Sequence, residues 1–208
     1  MFGKYGFNEE GRKNKELVLV KKMKVLTGDG IKDYPLLTTN AKRKFLLAIY
    51  PEYHTRMFPD SILNNEESKK YELIKDIAHT NSIHKIYICN IKDAEQLQNG
   101  DLVAIYRTKD DKGPARFRSV ITSICQIEEV KRCNDFTSIE DFISYANYYS
   151  IFEQQELEQW FNKKNAVVIK MTYNIALAKR VTNGYLVDEL KMTPSYWGFF
   201  QLTDEQFN

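Results

Sequence analysis

The sequence is poor in the features that usually announce a function. No stretch approaches the roughly 18 consecutive apolar residues that span a bilayer, so no membrane partner is expected. The N-terminus lacks the basic, apolar and small-residue succession of a secretion signal, and a cytoplasmic location is the expectation. Charge of one sign is missing too. Thirty Lys and Arg stand against 28 Asp and Glu, a net charge of +2, so any contact with nucleic acid has to rest on a local patch rather than on the overall field. The three cysteines, Cys89, Cys125 and Cys133, make no Cys-x-x-Cys and keep no ligand spacing with His54, His79 or His84. Their odd number and the apolar runs around Cys89 and Cys125 predict buried free thiols, with no metal site. No Gly-x-Ser-x-Gly nucleophile turn occurs. The carboxylates Glu128, Glu129, Glu153, Glu156 and Glu158 show no paired acid–base spacing and are read as solvated faces. No cofactor is expected.

What is present points to a folded chain. Of 208 residues, 43% are hydrophobic and 28% charged, which is ordinary globular composition and enough to bury a real core. Tyrosine and phenylalanine are abundant, 13 and 12 residues, and tyrosine suits half-buried strands and base-stacking platforms equally.

Residues 1–24 read as a turn followed by a strand pair with its tip at Lys13-Asn14-Lys15. Residues 25–82 read as a helical connector. One helix runs from a cap at Thr38 or Thr39 to Tyr50, a second starts at Pro51, and a third lies in NEESKKYELIKDIA. From residue 83 strands dominate: IHKIYICNI, then LVAIYRT after the Asn99-Gly100 turn, then RFRSVITSICQIEEVK. SIEDFISYANYYS, capped at Thr137 or Ser138, and EQQELEQWFNKK read as helices. The strand AVVIKMTYN follows, then a basic helix or loop, and Thr203 caps a last turn. The expected class is α+β: a small, closed or nearly closed β-barrel decorated with helices, preceded by a helical and hairpin segment.

Two segments carry a family resemblance. NGDLVAIYRTKDDKGPARFRSVITSICQIEEV and the terminal WGFFQLTDEQF resemble the PUA-like superfamily of ASCH, EVE and YTH-type domains, over residues 83–208. The Gly-x-Lys-x-x-Glu-x-Arg run of ASCH domains finds no match here. The resemblance implies a module that binds RNA or DNA by holding a flipped base, plain or modified, between aromatic rings, and it leans away from catalysis. An ASCH-like amidohydrolase acting on a modified nucleoside is the alternative. Residues 1–24 resemble the last strands of a GNAT-type acetyltransferase, without the Gly-rich loop that cradles acetyl-CoA in that family. That resemblance implies a remnant tail, and a further alternative in which the chain meets a protein partner through residues 1–24 as part of an acetyltransferase system.

Residue by residue, Trp197 offers a stacking wall beside Gly198, or a core indole. Tyr106, Arg107 and Thr108 end a strand at a loop mouth, where Arg107 would meet a phosphate and Thr108 a base edge. Arg116 and Arg118 are expected to alternate with Phe117 and Ser119 on the next strand, forming a basic patch with Lys109 and Lys112. A solvated, charged strand edge explains the same residues. Lys42-Arg43-Lys44 and Tyr53-His54-Thr55-Arg56 read as a solvated helix face. Tyr145, Tyr148 and Tyr149 read as core packing. Lys170 is the lysine whose flanks suggest burial, yet its alternation with Val168 and Thr172 reads it as a barrel-rim residue.

Overall fold

The computed structural model describes residues 2–24, 26–63 and 82–208. The chain divides into two compact units, 1–42 and 43–208. The helix expected in NEESKKYELIKDIA lies outside the described residues.

In the first unit a short 3-10 turn, Phe2–Tyr5, leads into a hairpin of β1 (Asn8–Lys13) and β2 (Glu16–Val20). Its tip, Asn14 and Lys15, sits at φ 50° and 71°, the left-handed pair that matches strand twist in a two-residue turn. A single helical turn, α1 (Gly30–Asp33), begins at Asp29, whose carboxylate accepts from the Ile31 and Lys32 amides at 3.0 and 3.1 Å. Asp33 at its end is buried and accepts from the Thr27 amide and hydroxyl and from the Gly28 amide, pinning the preceding loop.

The second unit is built on a six-stranded sheet: β3 (Lys44–Ile49), β4 (His84–Cys89), β5 (Leu102–Arg107), β6 (Val120–Arg132), β7 (Val167–Thr182) and β8 (Phe199–Leu202). Their order is β4-β7-β6-β5-β3-β8, with β3 parallel to β5 and the other neighbours antiparallel. Between them lie the helices α2 (Pro51–Met57), α3 (Ala115–Arg118), α4 (Ile139–Ala146), α5 (Gln154–Asn162), α6 (Asn183–Asp188) and α7 (Asp204–Phe207). Inward side chains of β3, β5, β6 and β7, such as Phe45, Val103, Ile127 and Met171, are wholly or almost wholly buried. Met57 and Phe58 at the end of α2, Phe142 of α4 and Leu157 of α5 join the same core, each fully buried side chain stabilising by about 1.5–3 kcal/mol.

The expected α+β class holds, with one correction. No barrel closes: among the described strands, edge strands β4 and β8 do not pair with each other. β4 is instead covered on its free side, where the Ile86 amide donates to the Tyr149 carbonyl at 2.8 Å, which protects an open edge.

Three local expectations change. Residues 44–49 are a strand, not the end of a helix from residue 38. Five apolar residues after a lysine are too few for periodicity to choose, and pairing on both sides, with all six positions buried, decides for β. IALAKRVT continues β7 instead of forming a helix or loop, because residues 175–182 still pair with β6. Arg116 to Arg118 form one helical turn after Pro114, so they do not alternate along a strand. The three cysteines are free and buried, as expected. No helix among the described residues is long and apolar enough to cross a membrane.

Candidate ligand cleft

The second unit carries a cleft of about 600 Å³, within the roughly 300–1,000 Å³ range of small-molecule sites. Five separate segments build it, Thr108 after β5 being one. Tyr50 caps α2 and Pro51 takes the first helical position, which its fixed φ favours. Tyr53 follows one turn later, on the same side of the helix as Tyr50. On β4, Tyr87 and Cys89 alternate onto one face and form the floor, each 3% exposed. Trp160 comes from the last turn of α5. The segment Tyr196-Trp197-Gly198 runs into β8, and the Gly198 carbonyl accepts from the Ala48 amide at 2.8 Å, extending the β3–β8 ladder to the cleft mouth. Strands from both edges of the open sheet therefore meet at one cavity.

Its walls are aromatic and its polar groups few. Trp197 stacks on Tyr106 with centroids 5.5 Å apart and meets Phe200 edge-on at 5.8 Å, which fixes the indole plane. Tyr196 folds back so that its ring lies over Gly198; a Cβ there would come within 2.0 Å of the ring. Tyr53 packs on Phe152, and Phe152 on Trp160. Lys163 places its ammonium 4.3 Å from the Trp160 ring centroid. Glu52, Asn90 and Thr108 supply the remaining polar side chains. The Thr108 hydroxyl is buried without a hydrogen-bond partner among the described residues.

The floor is dry. Burial, then the neighbouring Cys89 and tyrosines, raises Tyr87 well above its ordinary pKa, so its hydroxyl stays a proton donor. Burial also pushes the Cys89 thiol up to about 12, which keeps it a neutral thiol rather than a nucleophile. Tyr53 is raised by burial and by the Glu52 carboxylate. The cleft offers flat apolar faces, neutral donors and one carboxylate, a set suited to holding a planar heterocycle by stacking and edge hydrogen bonds.

Of the residues singled out from the sequence, Trp197 and Thr108 line this cleft. Tyr106 lies buried behind Trp197, with its hydroxyl accepting from Asn183 Nδ2 at 3.0 Å. Ser119 is buried beside that hydroxyl. Arg107 is a correction: it is wholly buried, not at an exposed strand end. Its guanidinium donates toward the Thr108 and Arg118 carbonyls at 3.4 and 3.5 Å and lies 3.7 Å from Asp110. Arg118 is clasped by Asp110 and Arg116 by Asp188. These arginines are held by carboxylates, so they form no free basic patch of the kind the sequence suggested.

The solvated helix face is also corrected. Lys44 is 2% exposed and paired with Asp204 at 2.5 Å. His54 is fully buried with Nε2 at 2.7 Å from the Thr122 hydroxyl, and burial followed by the charges of Arg107 and Arg180 lowers its pKa to about 3. Among the described residues the buried lysines are Lys44 and Lys85, whereas Lys170 is partly exposed, as a rim residue would be, and lies 3.2 Å from Glu128. Tyr50, Tyr87, Trp160 and Tyr196 were missed by the sequence reading, and Tyr53, read as part of a solvated helix face, lines the cleft. The one local signal was the Tyr50-Pro51-Glu52-Tyr53 spacing at a helix start.

A second polar cluster stands where β4 begins, away from the cleft at the strand's far end. Glu128 accepts from the Thr172 hydroxyl at 2.7 Å, with His84 Nδ1 at 2.5 Å and Lys170 at 3.2 Å. Burial raises its pKa, but the bonds from His84 and Thr172 and the charges around it outweigh burial and hold the carboxyl below its ordinary value. A depressed carboxylate contributes stability that is present above its unfolded pKa and lost as pH falls through the folded one. Urea unfolding of Glu128→Gln is therefore expected to show a shallower loss of stability below about pH 4.5 than the wild type. Parallel acid limbs would refute the assignment.

No family model and no curated protein matches the chain. Solved structures do. The fold resembles that of an ASCH protein from Zymomonas mobilis, which aligns with a TM-score of 0.50 at 8% identity, covering 78% of this chain and 90% of that one. Weaker likenesses are a hypothetical protein from Leishmania major (TM-score 0.42, 11% identity, covering 82% and 92%) and the human THYN1 protein in complex with 5-methylcytosine-containing DNA (0.38, 11%, 80% and 94%). At these identities the likeness is one of fold.

Proposed function

We propose that this protein binds nucleic acid by taking one base, everted from its strand, into the aromatic cleft. The observation that carries the reading is the enclosure itself. Tyr50, Tyr53, Trp160, Tyr196 and Trp197 wall a cavity whose floor keeps a neutral hydroxyl, Tyr87, and whose side holds an unpartnered one, Thr108. Aromatic faces accept any base by stacking, and the few polar groups then select by its edge. Trp197 is the expected main stacking wall because Tyr106 and Phe200 hold it in place before a ligand arrives.

An amidohydrolase reading gains less support. The lysine and glutamate that face each other, Lys170 and Glu128, do not line the cleft, and Glu128 is held ionised rather than poised as an acid. The comparisons give no support to an acetyltransferase-like tail at residues 1–24.

The test is a fluorescence-anisotropy titration against short single-stranded and duplex RNA and DNA, plain and base-modified, at two salt concentrations. Trp197→Ala is expected to weaken binding by about 1–3 kcal/mol. Because the indole also packs on Tyr106, Trp197→Leu serves as the variant that keeps apolar bulk while losing the π face. Absence of salt-sensitive binding to every probe, or unchanged affinity in both variants, would end the proposal.

A further inference from the structure

Beyond the cleft wall lies a surface that the cleft does not use. Trp197 leans on Tyr106, whose hydroxyl is tied to Asn183 at the start of α6. α6 in turn packs tightly on α3: a Cβ on Gly184 would come within 3.1 Å of both the Arg116 side chain and its carbonyl. Two large aromatic side chains project from this pair of helices, Phe117 at 68% exposed and Tyr185 at 51%.

Neither ring is exposed by accident of a loose loop. The Arg116 guanidinium lies 5.9 Å from the Phe117 centroid and reaches across to Asp188, with Nη1 donating at 3.1 Å. Asp188 is one helical turn after Tyr185, on the same side of α6. The Arg116–Asp188 pair therefore ties the helix that carries Phe117 to the helix that carries Tyr185. The loop before α3 and the end of β7 add Lys109, Lys112 and Lys179, which are exposed and have no carboxylate partner among the described residues. Asp111 is the exposed acid on the same loop.

Exposed rings next to unpaired lysines are the recurring make-up of surfaces that track a single strand, with bases stacking on rings and phosphates meeting ammonium groups. We infer that Phe117 and Tyr185 form a stacking platform for the nucleotides flanking the base held in the cleft, with Lys109, Lys112 and Lys179 taking the phosphates. This inference rests on the proposed base-binding role of the cleft, and it adds a second contact region on the far side of the Trp197 wall. The partner is single-stranded, because a paired duplex hides the base faces that the rings would cover.

The experiment compares two single-stranded oligonucleotides on the full chain, one of about three nucleotides and one of about twelve, the latter within the site sizes typical of strand-tracking surfaces. Phe117→Ala with Tyr185→Ala is expected to weaken the longer probe by about tenfold or more and to leave the shorter one unchanged, whereas Trp197→Leu weakens both. Replacing Lys109, Lys112 and Lys179 with Gln is expected to make the salt dependence of the longer probe shallower. If the double variant binds the longer probe as the wild type does while Trp197→Leu still weakens both, the platform is wrong and the cleft reading stands. If the double variant loses the longer probe and Trp197→Leu changes nothing, the platform holds and the cleft reading falls. Failure of the wild type to bind either probe overturns both. Both rings are largely exposed, so thermal melts of the double variant are expected to match the wild type, separating lost binding from lost fold.

Discussion

Asp110→Ala is expected to lower the unfolding free energy by about 3–5 kcal/mol, the usual effect of removing one partner from a buried charge cluster. Asp110 is itself only 16% exposed and faces two guanidiniums. It accepts from Arg118 Nε at 2.8 Å and from a second nitrogen of the same side chain, and it lies 3.7 Å from Arg107, which is entirely buried. The Arg118 bonds, ahead of the opposing effect of burial, hold the Asp110 carboxyl far below its ordinary pKa. Alanine leaves two positive groups facing each other without that carboxylate. Asp110→Asn keeps the shape and part of the hydrogen bonding, so its loss is expected to be intermediate. Thr108, two residues away, lines the cleft, so ligand affinity should fall with stability. Urea denaturation of the two variants decides the matter. A cost below about 1 kcal/mol for alanine, as at an exposed ion pair, would show that the cluster is solvated rather than buried.

Gly6→Ala is expected to melt the first unit. Gly6 has φ +82°, and a Cβ placed on it would stand 2.3 Å from the backbone carbonyl oxygen of Lys32. Left-handed strain alone costs about 1–2 kcal/mol. The collision is with backbone, which no side-chain rotation relieves, so the total cost is on the order of 3 kcal/mol. The unit has little with which to absorb it. Leu17 and Val18 of its hairpin are exposed by 48% and 38%, and among its described residues Asp33 alone is buried. Hydrogen exchange read across β1, β2 and α1 should show protection lost in the variant. Protection equal to the wild type would mean that the backbone shifts at little cost and that the close approach is not structural.

Much of the sheet was legible because its signals are local. The Asn99-Gly100 turn, the caps at Ser138 and Thr203 and the tip at Asn14 each mark a boundary through a side-chain or backbone property of one or two residues. β3 was not legible, because KFLLAI becomes a strand only through pairing with residues 102–107 and 199–202. The same holds for the arginines. Composition shows that Arg107, Arg116 and Arg118 are basic, but not that Asp110 and Asp188 lie opposite them. The cleft is the extreme case. Its aromatic residues come from positions 50–53, 87, 160 and 196–197, and no periodicity links segments so far apart. Trp197 drew notice because an indole beside a glycine offers a stacking face, whereas Tyr50 and Tyr87 were lost among 13 tyrosines.

The parallel pairing of β3 with β5, and its antiparallel pairing with β8, also set an order for synthesis. During translation from the N-terminus, six apolar-faced residues that are all buried in the finished protein leave the ribosome long before either neighbour exists. One edge of β3 stays open until residues 102–107 emerge and the other until residues 199–202 do, and long-range pairing of this kind is slow to form and prone to association between chains. The nascent chain thus carries an apolar segment with an uncovered edge over a long stretch of its synthesis. Lys42 and Arg43, directly before that segment, and Lys44 at its first position place like charge where two such strands would otherwise meet.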